Sequence, residues 1–404
     1  MNGNNSVPNI RFKGFQDDWE NDSIKNVSTM KSGGTPSVNK REYYVGDIPF
    51  IRSSDIKKKT TELKINDEAL KNSSSFVVEK GTVLYALYGA TSGQVAISKV
   101  TGAINQAVLA IFPDEFVNKY FLLYWLSFNK GKITNKYLQG GQGNLSAKIV
   151  KNLLLFFPSK QEQQKIGNFF AKLDKLLDLQ QQKINKLDLL KKVLLQKLFP
   201  KHDAKIPDLR FKGYEEDWAK IQLKNYVTWY KGSGLSKKYL NVEKIGVPVI
   251  HYSDLYKFSE VIKNVRHWST TNQGKLVSNN SILFPSSDVT PNGLARTSAL
   301  IKNGVKAGGD IIIGTLKTSL SNVFMSYQIN RNYKDILRMV SGTTIRHIHA
   351  YDLSNLSEYI TYYSEQQKIG NLLSKVDHLI ELENKKLQNF QQIKKCLLQN
   401  MFVE

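Results

Sequence analysis

Two stretches of the first half of this sequence recur in its second half. The shorter one, PNIRFKGF at Pro8–Phe15, returns as PDLRFKGY at Pro207–Tyr214. The longer one runs from Glu162 to Phe199 and matches Glu365 to Phe402 without a gap, at about half of its positions, and both copies begin EQQKIGN. Chance does not produce a gapless match of that length. The chain is therefore predicted to contain two equivalent halves, and their period far exceeds the roughly 20 to 50 residues of a solenoid repeat.

The segments between the repeated stretches, near 25–158 and 225–360, show almost no identity to each other. We call the repeated stretches the frame and the segments between them the inserts. Because the frame is kept while the inserts vary, the frame is expected to position the inserts, and the inserts are expected to carry whatever differs between the halves. At 404 residues the chain also exceeds the size at which one hydrophobic core usually stops growing. Two domains of similar size are expected.

The longer repeat places apolar residues alternately three and four positions apart over about five heptads, which predicts a coiled-coil seam. Each helix of about 38 residues would be roughly 57 Å long, and we expect the two to pair antiparallel. The pairing residues predicted are Ile166, Leu173, Gln180, Leu187 and Leu194 in the first helix and Ile369, Val376, Glu383, Phe390 and Leu397 in the second. The same spacing is continued by Phe170, Leu177, Ile184, Leu190 or its neighbour, and Leu198, and by Leu373, Ile380, Leu387, Ile393 and Met401.

Each seam has one polar position near its middle, Gln180 in the first copy and Glu383 in the second. A polar seam residue commonly fixes register and orientation at some cost in stability, and an antiparallel pairing would bring these two nearly opposite each other. The alternative is that both face solvent where the seam opens. Ser159 and Ser364 precede the helices and are expected to cap them.

Both inserts alternate short runs rich in Val, Ile, Tyr and Phe with clusters of Gly, Ser, Asn and Pro, as at 82–88 and 310–314. This pattern favours short strands joined by loops, with a helix around 118–128. The predicted fold is α+β: two mixed globular domains separated by two long helices that pair as an antiparallel coiled coil, with an internal pseudo-two-fold repeat. The boundaries expected are 1–158 for the first globular domain, 159–200 for the first helical region, 201–206 for a linker, 207–360 for the second globular domain and 361–404 for the second helical region.

The charge balance predicts a polyanionic partner, because 57 Lys and Arg residues against 35 Asp and Glu residues leave a formal net charge of +22. A membrane surface is the rival polyanion. However, no apolar run approaches the roughly 18 to 20 residues that span a bilayer, and residues 1–15 contain no apolar core of a secretory signal. We therefore expect a soluble, cytoplasmic protein.

Candidate nucleic-acid contacts lie on the predicted loops. Lysines there mostly set affinity through phosphates, Arg, Asn, Gln and Ser can also distinguish base edges, and the N–H groups of glycine-rich loops can approach a phosphate. In the first half the candidates are Lys31, Gly33, Gly34, Thr35, Arg52, Ser53, Ser54, Lys57, Lys58, Tyr88, Thr91, Ser92, Gln142 and Asn144. In the second half they are Lys237, Lys238, Tyr252, Ser253, Ser286, Ser287, Arg296, Thr343, Thr344, Arg346 and His347. The alternative for each charge is an ordinary solvated side chain, and for each glycine-rich loop a plain turn.

No active site and no metal site are predicted. The sequence has no P-loop, GxSxG or HExxH motif. His347 and His349 form the one close histidine pair, and no Cys or carboxylate at metal-ligand spacing accompanies them, so zinc is not expected. The single cysteine, Cys396, cannot form an internal disulfide, and its apolar helical surroundings favour packing over reactivity.

Taken together, these features resemble the specificity subunits of type I restriction-modification systems, the HsdS family, over the whole chain. The stretches that carry the resemblance are Gly33–Pro36, Ile48–Ile51 with Asp55, Ile104–Ala107, the glycine-rich loop at 140–145 and both EQQKIG helix starts. The second half keeps Val247–Ile250 with Asp254. It departs at Lys231–Gly234, which replaces the Gly-Gly-Thr-Pro loop, and at Lys306–Gly309, which replaces Asn-Gln-Ala. Different half-site sequences would account for that departure.

The resemblance implies a non-catalytic subunit with two target recognition domains. Each would read one half of an asymmetric bipartite DNA sequence, across a non-specific spacer whose length the helices set. It also implies that the helical regions dock two modification (methyltransferase) subunits and that restriction (motor-nuclease) subunits join them. S-adenosylmethionine and ATP with Mg would bind those partners and not this chain.

Two alternatives stay open. One is a free-standing DNA- or RNA-binding regulator that dimerises through its helices. The other is a restriction or methylation enzyme with its own catalytic domain, which the length and the lack of methyltransferase motifs such as Asn-Pro-Pro-Tyr/Phe disfavour.

Overall fold

The computed structural model describes residues 7–138, 144–201, 204–257 and 259–403. It divides the chain into two compact units: unit 1 comprises residues 1–181 and 386–404, and unit 2 comprises residues 182–385. The boundary crosses both long helices, so each unit contains one insert together with a segment of each helix. The sequence-based domain boundaries are a separate division of the chain and stay a prediction.

Unit 1 is built from two layers of sheet and a helical layer. Its strands are β1 (Glu20–Ser23), β2 (Ser28–Ser32), β3 (Ile48–Ile51), β4 (Lys64–Ile65), β5 (Phe76–Val78), β6 (Val83–Ala86), β7 (Val95–Ile97), β8 (Gly102–Ile104), β9 (Val108–Pro113) and β10 (Leu154–Phe157). Its helices are α1 (Asp67–Lys71), α2 (Lys119–Tyr137), α3 (Ala147–Lys151) and the first part of α4 (Lys160–Lys197). The helix expected around 118–128 is therefore confirmed as α2. The sheets have the orders β2-β9-β6-β7 and β4-β3-β8-β5, and β1 pairs with β10.

The strand β6 shows why the two sheets and the helices form layers. All four of its residues are buried, because successive side chains point to opposite faces of a strand. Leu84 and Ala86 pack between the two sheets, in one cluster with Ile51 and Ile104. Val83 and Tyr85 face the other way, into a second cluster that contains α2 and the long helices.

Unit 2 repeats this architecture. Its strands are β11 (Ala219–Gln222), β12 (Val227–Lys231), β13 (Val247–Ile250), β14 (Val261–Ile262), β15 (His267–Ser269), β16 (Lys275–Leu276), β17 (Ser281–Pro285), β18 (Ser287–Asp288), β19 (Ser298–Leu300), β20 (Lys306–Ala307), β21 (Ile311–Leu316), β22 (Arg346–His347) and β23 (Ser357–Ile360). Its helices are α5 (Tyr252–Tyr256), α6 (Pro291–Leu294), α7 (Asn322–Arg331), α8 (Tyr333–Leu337), α9 (Ala350–Ser354) and the first part of α10 (Tyr363–Met401). The sheets β12-β21-β17-β19-β14 and β15-β13-β20-β16 follow the strand order of unit 1 with one strand, β14, added. Two inserts with almost no identity therefore share one topology.

In each unit the two long helices run antiparallel, as predicted. In unit 1 the start of α4 packs against the end of α10, where the rings of Phe170 and Phe402 stack at 5.9 Å. In unit 2 the end of α4 packs against the start of α10, where Leu194 and Leu198 share a core cluster with Ile369 and Leu373.

The predicted seam is wrong at Ile393 in the second helix, and in the first helix the position left open between Leu190 and its neighbour falls on the neighbour. Leu190 and Ile393 are 45% and 49% exposed, and the inward position is taken in each case by the next residue, Lys191 or Lys394. Each lysine faces an aspartate of the other long helix. A count of apolar spacing does not detect such a position, because the ion pair replaces an apolar contact.

Three smaller expectations have mixed outcomes. Helix α4 begins directly after Ser159, but α10 begins at Tyr363, so Ser364 lies inside its first turn and the expected cap is wrong. The carbonyl of Tyr362 accepts the N–H groups of Glu365 and Gln366 instead. Cys396 is exposed, one residue before seam position Leu397, so the expected packing role is also wrong.

Gln180 is 6% exposed, which rules out the alternative that it faces solvent. That it lies opposite Glu383 stays a prediction. Within the described ranges, no helix combines the length and apolar character that crossing a membrane requires.

Candidate nucleic-acid interface

The two repeated motifs contact each other in each unit. In unit 1, Arg11 Nε and Nη2 each lie 2.8 Å from a carboxylate oxygen of Glu162, whose side chain is fully buried. In unit 2, Arg210 binds Glu365 in the same forked way, at 2.9 and 3.0 Å. The hydrogen bond to the carboxylate raises the pKa of each arginine. A buried carboxylate needs such a charged, bidentate partner, so the motifs are retained as a pair.

The glutamine and glycine of each EQQKIG motif attach the long helix to the insert of its unit. The side chain of Gln163 accepts the N–H of Asn118, at the N-terminus of α2, and donates to the carbonyls of Phe116 and Pro158. Gln366 makes the equivalent bonds in unit 2. A Cβ atom at Gly167 would lie 2.8 Å from Cβ of Tyr120, so glycine lets α4 approach α2 closely. The frame thus fixes the orientation of each insert on its helix.

The loops that carry the family resemblance lie against each other. A Cβ atom at Gly33 would meet the carbonyl oxygen of Ile104 at 1.9 Å, so the loop after β2 and the loop after β8 touch backbone to backbone. The N–H groups of Gly33 and Gly34 donate to the carbonyls of Val108 and Ile104. The expected use of these amides for phosphate is therefore wrong, because the partner loop already occupies them. Thr35 is exposed and bonds Gln106.

Unit 2 keeps this geometry with a different sequence. A Cβ atom at Gly232 would meet the carbonyl oxygen of Gly308 at 1.8 Å, and Gly309 donates to Gly234 at 2.9 Å. The stretches that depart from the family pattern therefore stand at the equivalent places. Leu235 and Asp310, at the ends of these two loops, have φ of 65° and 59°, a strained conformation for residues other than glycine.

Arg52 and Lys58 are engaged within their own loop. Both bind the buried Asp55, at 3.1 and 2.8 Å, and both reach Glu62. Burial pushes the pKa of Asp55 up, but the bonds from Lys58 and Arg52 outweigh it and the net pKa is lowered. The charges of Arg52 and Lys58 thus hold the loop together, while Ser54 between them is exposed.

Asp254 has the same role in unit 2. Its carboxylate accepts the N–H of His251 at 3.0 Å and lies 2.9 Å from Nδ1 of His267. Burial lowers the pKa of His251, whose ring packs on Tyr252 and bonds the Ser253 hydroxyl at 2.7 Å. The expected contacts Tyr252 and Ser253 are thus half-buried supports of α5.

In the loop at 88–93, Tyr88 forms a β-bridge with Asn144. Ser92 is 5% exposed and donates to the carbonyls of Leu87 and Gly89, so its expected contact role is wrong and it closes the turn. The hydroxyl of Thr91, half-buried, donates to Tyr88. Gln142 lies outside the described residues.

Lysines cluster around Lys57 in unit 1. Partial burial, followed by the like charges of Lys130 and Lys394, lowers its pKa. The carboxylate of Asp174 opposes this by raising the pKa of Lys57, and it already binds one of these lysines, Lys394. That Lys57 contacts a phosphate stays a prediction.

Six of the nine remaining candidates of unit 2 lie together on paired loops. Ser287 pairs with His347 across β18 and β22, and the carbonyl of Ser286 accepts the N–H of Ile348. Arg346 bonds the carbonyl of Gly342 at 2.8 Å, which closes the exposed turn containing Thr343 and Thr344. The other three candidates are not part of this group. Arg296 bonds the carbonyls of Tyr256 and Asn292, and Lys237 and Lys238 are exposed.

In the described part of the chain, no three or more His, Cys, Asp and Glu residues form a group suited to a metal ion. Sequence reasoning missed Phe76, Tyr230 and Lys275, three exposed or half-buried strand residues. They form lysine–aromatic contacts beside the loops that follow β2 and β12, at residues 33–36 and 232–235, which we call the glycine loops. No loop or motif signal marks them, since they lie in strands.

Comparison with known proteins gives one family. The chain matches the Type I restriction modification DNA specificity domain twice, over residues 16–189 and 215–392. It is 24% identical to the type I restriction enzyme MjaIX specificity subunit of Methanocaldococcus jannaschii, over 94% of this chain and 92% of that protein. The MjaVIII specificity subunit of the same organism is 21% identical, over 95% of this chain and 91% of that protein.

Solved structures agree on the fold. The S subunit of a type I restriction-modification system from M. genitalium superposes with a TM-score of 0.68 at 16% identity, covering 98% of this chain and 99% of that one. A chain from a structure concerned with complex assembly of the type I R-M system gives a TM-score of 0.52 at 17% identity, covering 94% of this chain and 96% of that one. With one DNA specificity domain matched in each half, this chain belongs to the specificity subunits of type I restriction-modification systems, the non-catalytic components that contain the DNA recognition domains.

Proposed function

We propose that this subunit reads a bipartite, asymmetric DNA sequence, with one half-site for the recognition domain of each unit. The observation that carries the proposal is that the two domains share one sheet topology while their loops differ in nearly every residue. Equivalent loops would meet DNA in equivalent ways, and different side chains on them would select different bases. The net charge of +22 supports binding to the phosphate backbone.

The long helices would then set the spacer between the half-sites. Each is one uninterrupted helix, of 38 residues for α4 and 39 for α10. A continuous helix is stiff, so its length would fix the separation of the half-sites as a dimer fixes the spacing of an operator.

The exposed apolar residues of the helices support docking of two modification subunits, one on each unit. Unit 1 exposes Leu176, Leu179 and Ile393, by 42%, 52% and 49%. Unit 2 exposes the equivalent residues Leu379, Leu382 and Leu190, by 46%, 48% and 45%. Large apolar side chains repeated on a helix surface favour a protein partner.

The catalytic chemistry would belong to the partners. We propose that the modification subunits bind S-adenosylmethionine, that restriction subunits bind ATP and Mg, and that the assembly works in the cytoplasm on the host's DNA. The alternative of a free-standing regulator that dimerises through its helices has less support, because the seam of each unit is already filled by the chain's own second helix.

Co-expression with a modification subunit tests the docking proposal. Replacing Leu179 and Leu382 by Glu is expected to abolish co-purification of the modification subunit, while the thermal unfolding of the chain alone stays unchanged. Leu189→Glu is the matched control, since Leu189 is 61% exposed on the same helix but its equivalent in the other repeat is Gln392. Undiminished co-purification of the double variant, or equal loss with the control, would contradict the proposed surface.

A further inference from the structure

Lysine–aromatic contacts recur at several equivalent places of the two units, and at one of them the two strands that supply the lysine and the ring are exchanged. In unit 1, Nζ of Lys31 on β2 lies 4.3 Å from the ring centroid of Phe76 on β5. In unit 2, Nζ of Lys275 on β16 lies 5.3 Å from the ring centroid of Tyr230 on β12. The positions are equivalent because Lys31 and Tyr230 precede the last residue of β2 and β12, while Phe76 and Lys275 begin β5 and β16.

Each pair lies beside the glycine loops. The residues after β2 and β12 enter the two loops that touch the carbonyls of Ile104 and Gly308. In each unit the pair joins the edge strands of the two sheets, β2 to β5 and β12 to β16. Lys31 and Lys275 are exposed, so each ammonium is held at the surface next to the loops.

Stability alone is a weak reason to keep this contact. An exposed cation–π pair contributes about 0.5–1 kcal/mol, which many other surface contacts could supply. The two inserts have lost almost all identity, yet each keeps one ammonium and one ring here, in the opposite order. The retained property is therefore a positive charge over an aromatic plane at this spot, whichever strand supplies it.

That combination suits a phosphate group. Contact with the ring restricts a flexible lysine, so less side-chain entropy is lost when the ammonium binds an anion. A lysine reads no base sequence through a phosphate, which fits a feature that both domains share although their loops differ.

We propose that Lys31 with Phe76, and Lys275 with Tyr230, form a phosphate-contact site common to both recognition domains, which adds affinity for the DNA backbone and no base preference. This inference rests on the proposed function, because it assumes that both domains bind DNA. Each site neutralises one phosphate.

The test measures DNA binding by the complete complex with its modification subunits, at several salt concentrations. Lys31→Ala and Lys275→Ala are each expected to reduce the slope of log K against log salt by about 0.9, and to weaken binding on the order of tenfold at 0.1 M salt. The loss should be equal for specific and non-specific DNA, and Lys31→Arg should retain the wild-type slope. Lys25→Ala and Lys224→Ala are matched controls, since they too are exposed lysines at equivalent positions of the two repeats, and we expect them to keep the slope.

An unchanged slope in both alanine variants, with or without a lower unfolding temperature, would show that the pairs only brace the sheets and overturn the proposal. So would a changed methylated sequence, or an equal loss in the controls. A wild-type complex that binds all DNA equally would instead refute the proposed function itself.

Discussion

Lys191 is expected to hold a large part of the stability of unit 2. Its ammonium lies 2.7 Å from Oδ1 of Asp377 and 2.7 Å from Oε1 of Glu260, and its side chain is 19% exposed. Burial pushes the pKa of Lys191 down, but the two carboxylates outweigh it and the net pKa is raised. Asp377 also accepts a hydrogen bond from Tyr327 at 2.6 Å. One lysine therefore connects the insert and both long helices.

The change Lys191→Met removes the charge and keeps most of the side-chain volume, so that Asp377 and Glu260 face each other without a cation. Breaking a fully buried ion pair costs about 3–5 kcal/mol, and because these carboxylates keep 27% and 16% of their exposure we expect about 2–3 kcal/mol. Urea unfolding at pH 7, followed by tryptophan fluorescence, measures this loss.

Two further variants make the result decisive. Lys183→Met is the matched control, because Lys183 is 57% exposed, against 19% for Lys191, so that its pair with Glu383 is expected to contribute less than about 1 kcal/mol. Adding Glu260→Gln and Asp377→Asn to Lys191→Met should recover part of the loss, since no unpaired charge remains. If Lys191→Met unfolds at the same urea concentration as the control, the ion pair does not stabilise the helix packing as argued.

Three more outcomes follow from the structure. Burial raises the pKa of Glu358 to about 8, so that between pH 4.5 and 8 the folded chain retains a proton that the unfolded chain releases. The free energy of unfolding therefore falls as the pH rises from 4.5 to 8. Glu358→Gln should unfold at a higher urea concentration than the wild type at pH 8, and a lower midpoint of the variant at that pH would contradict the assignment. Gly33→Ala should destabilise unit 1, because its Cβ would lie 1.9 Å from a carbonyl oxygen. Gly131→Ala in α2 has open space around it and should stabilise the chain by up to about 1 kcal/mol. The urea midpoints of the two variants measure both effects. Inserting one heptad into both long helices should change the spacer length that the complex tolerates and leave the half-site sequences unchanged. Mapping of methylated DNA would detect both. An unchanged spacer would show that the helices do not set its length.

The frame of this protein could be predicted because its signals are local or repeated. The heptad spacing from Ile166 indicates a long helix, and its recurrence from Ile369 indicates a second one that can pair with it. The same reasoning fails at Ile393 and does not choose between Leu190 and its neighbour. Heptad spacing ranks residues by apolar character, whereas the inward lysines are selected by aspartates on the other helix.

The shared topology of the inserts could not be predicted, because their strands are short and pair with distant partners. β16 has two residues, and nothing in Lys275–Leu276 alone indicates that it lies at the edge of a four-stranded sheet. The glycine loops show the same limit. The residues 33 and 34 were expected to leave their amides open to phosphate, and only the position of the loop after β8 reveals that they are occupied.

We propose that each recognition domain reads its own half-site, and methylation mapping tests this most directly. Methylated adenines would be mapped across the genome of a host that carries the complex, with the wild-type chain and with a chain in which residues 25–158 are replaced by the corresponding segment of another specificity subunit. We expect that methylation requires this chain, that the wild-type motif has two separated halves, and that the replacement changes one half while the other half and the spacer persist. A change in both halves, or methylation that persists without this chain, would contradict the proposal.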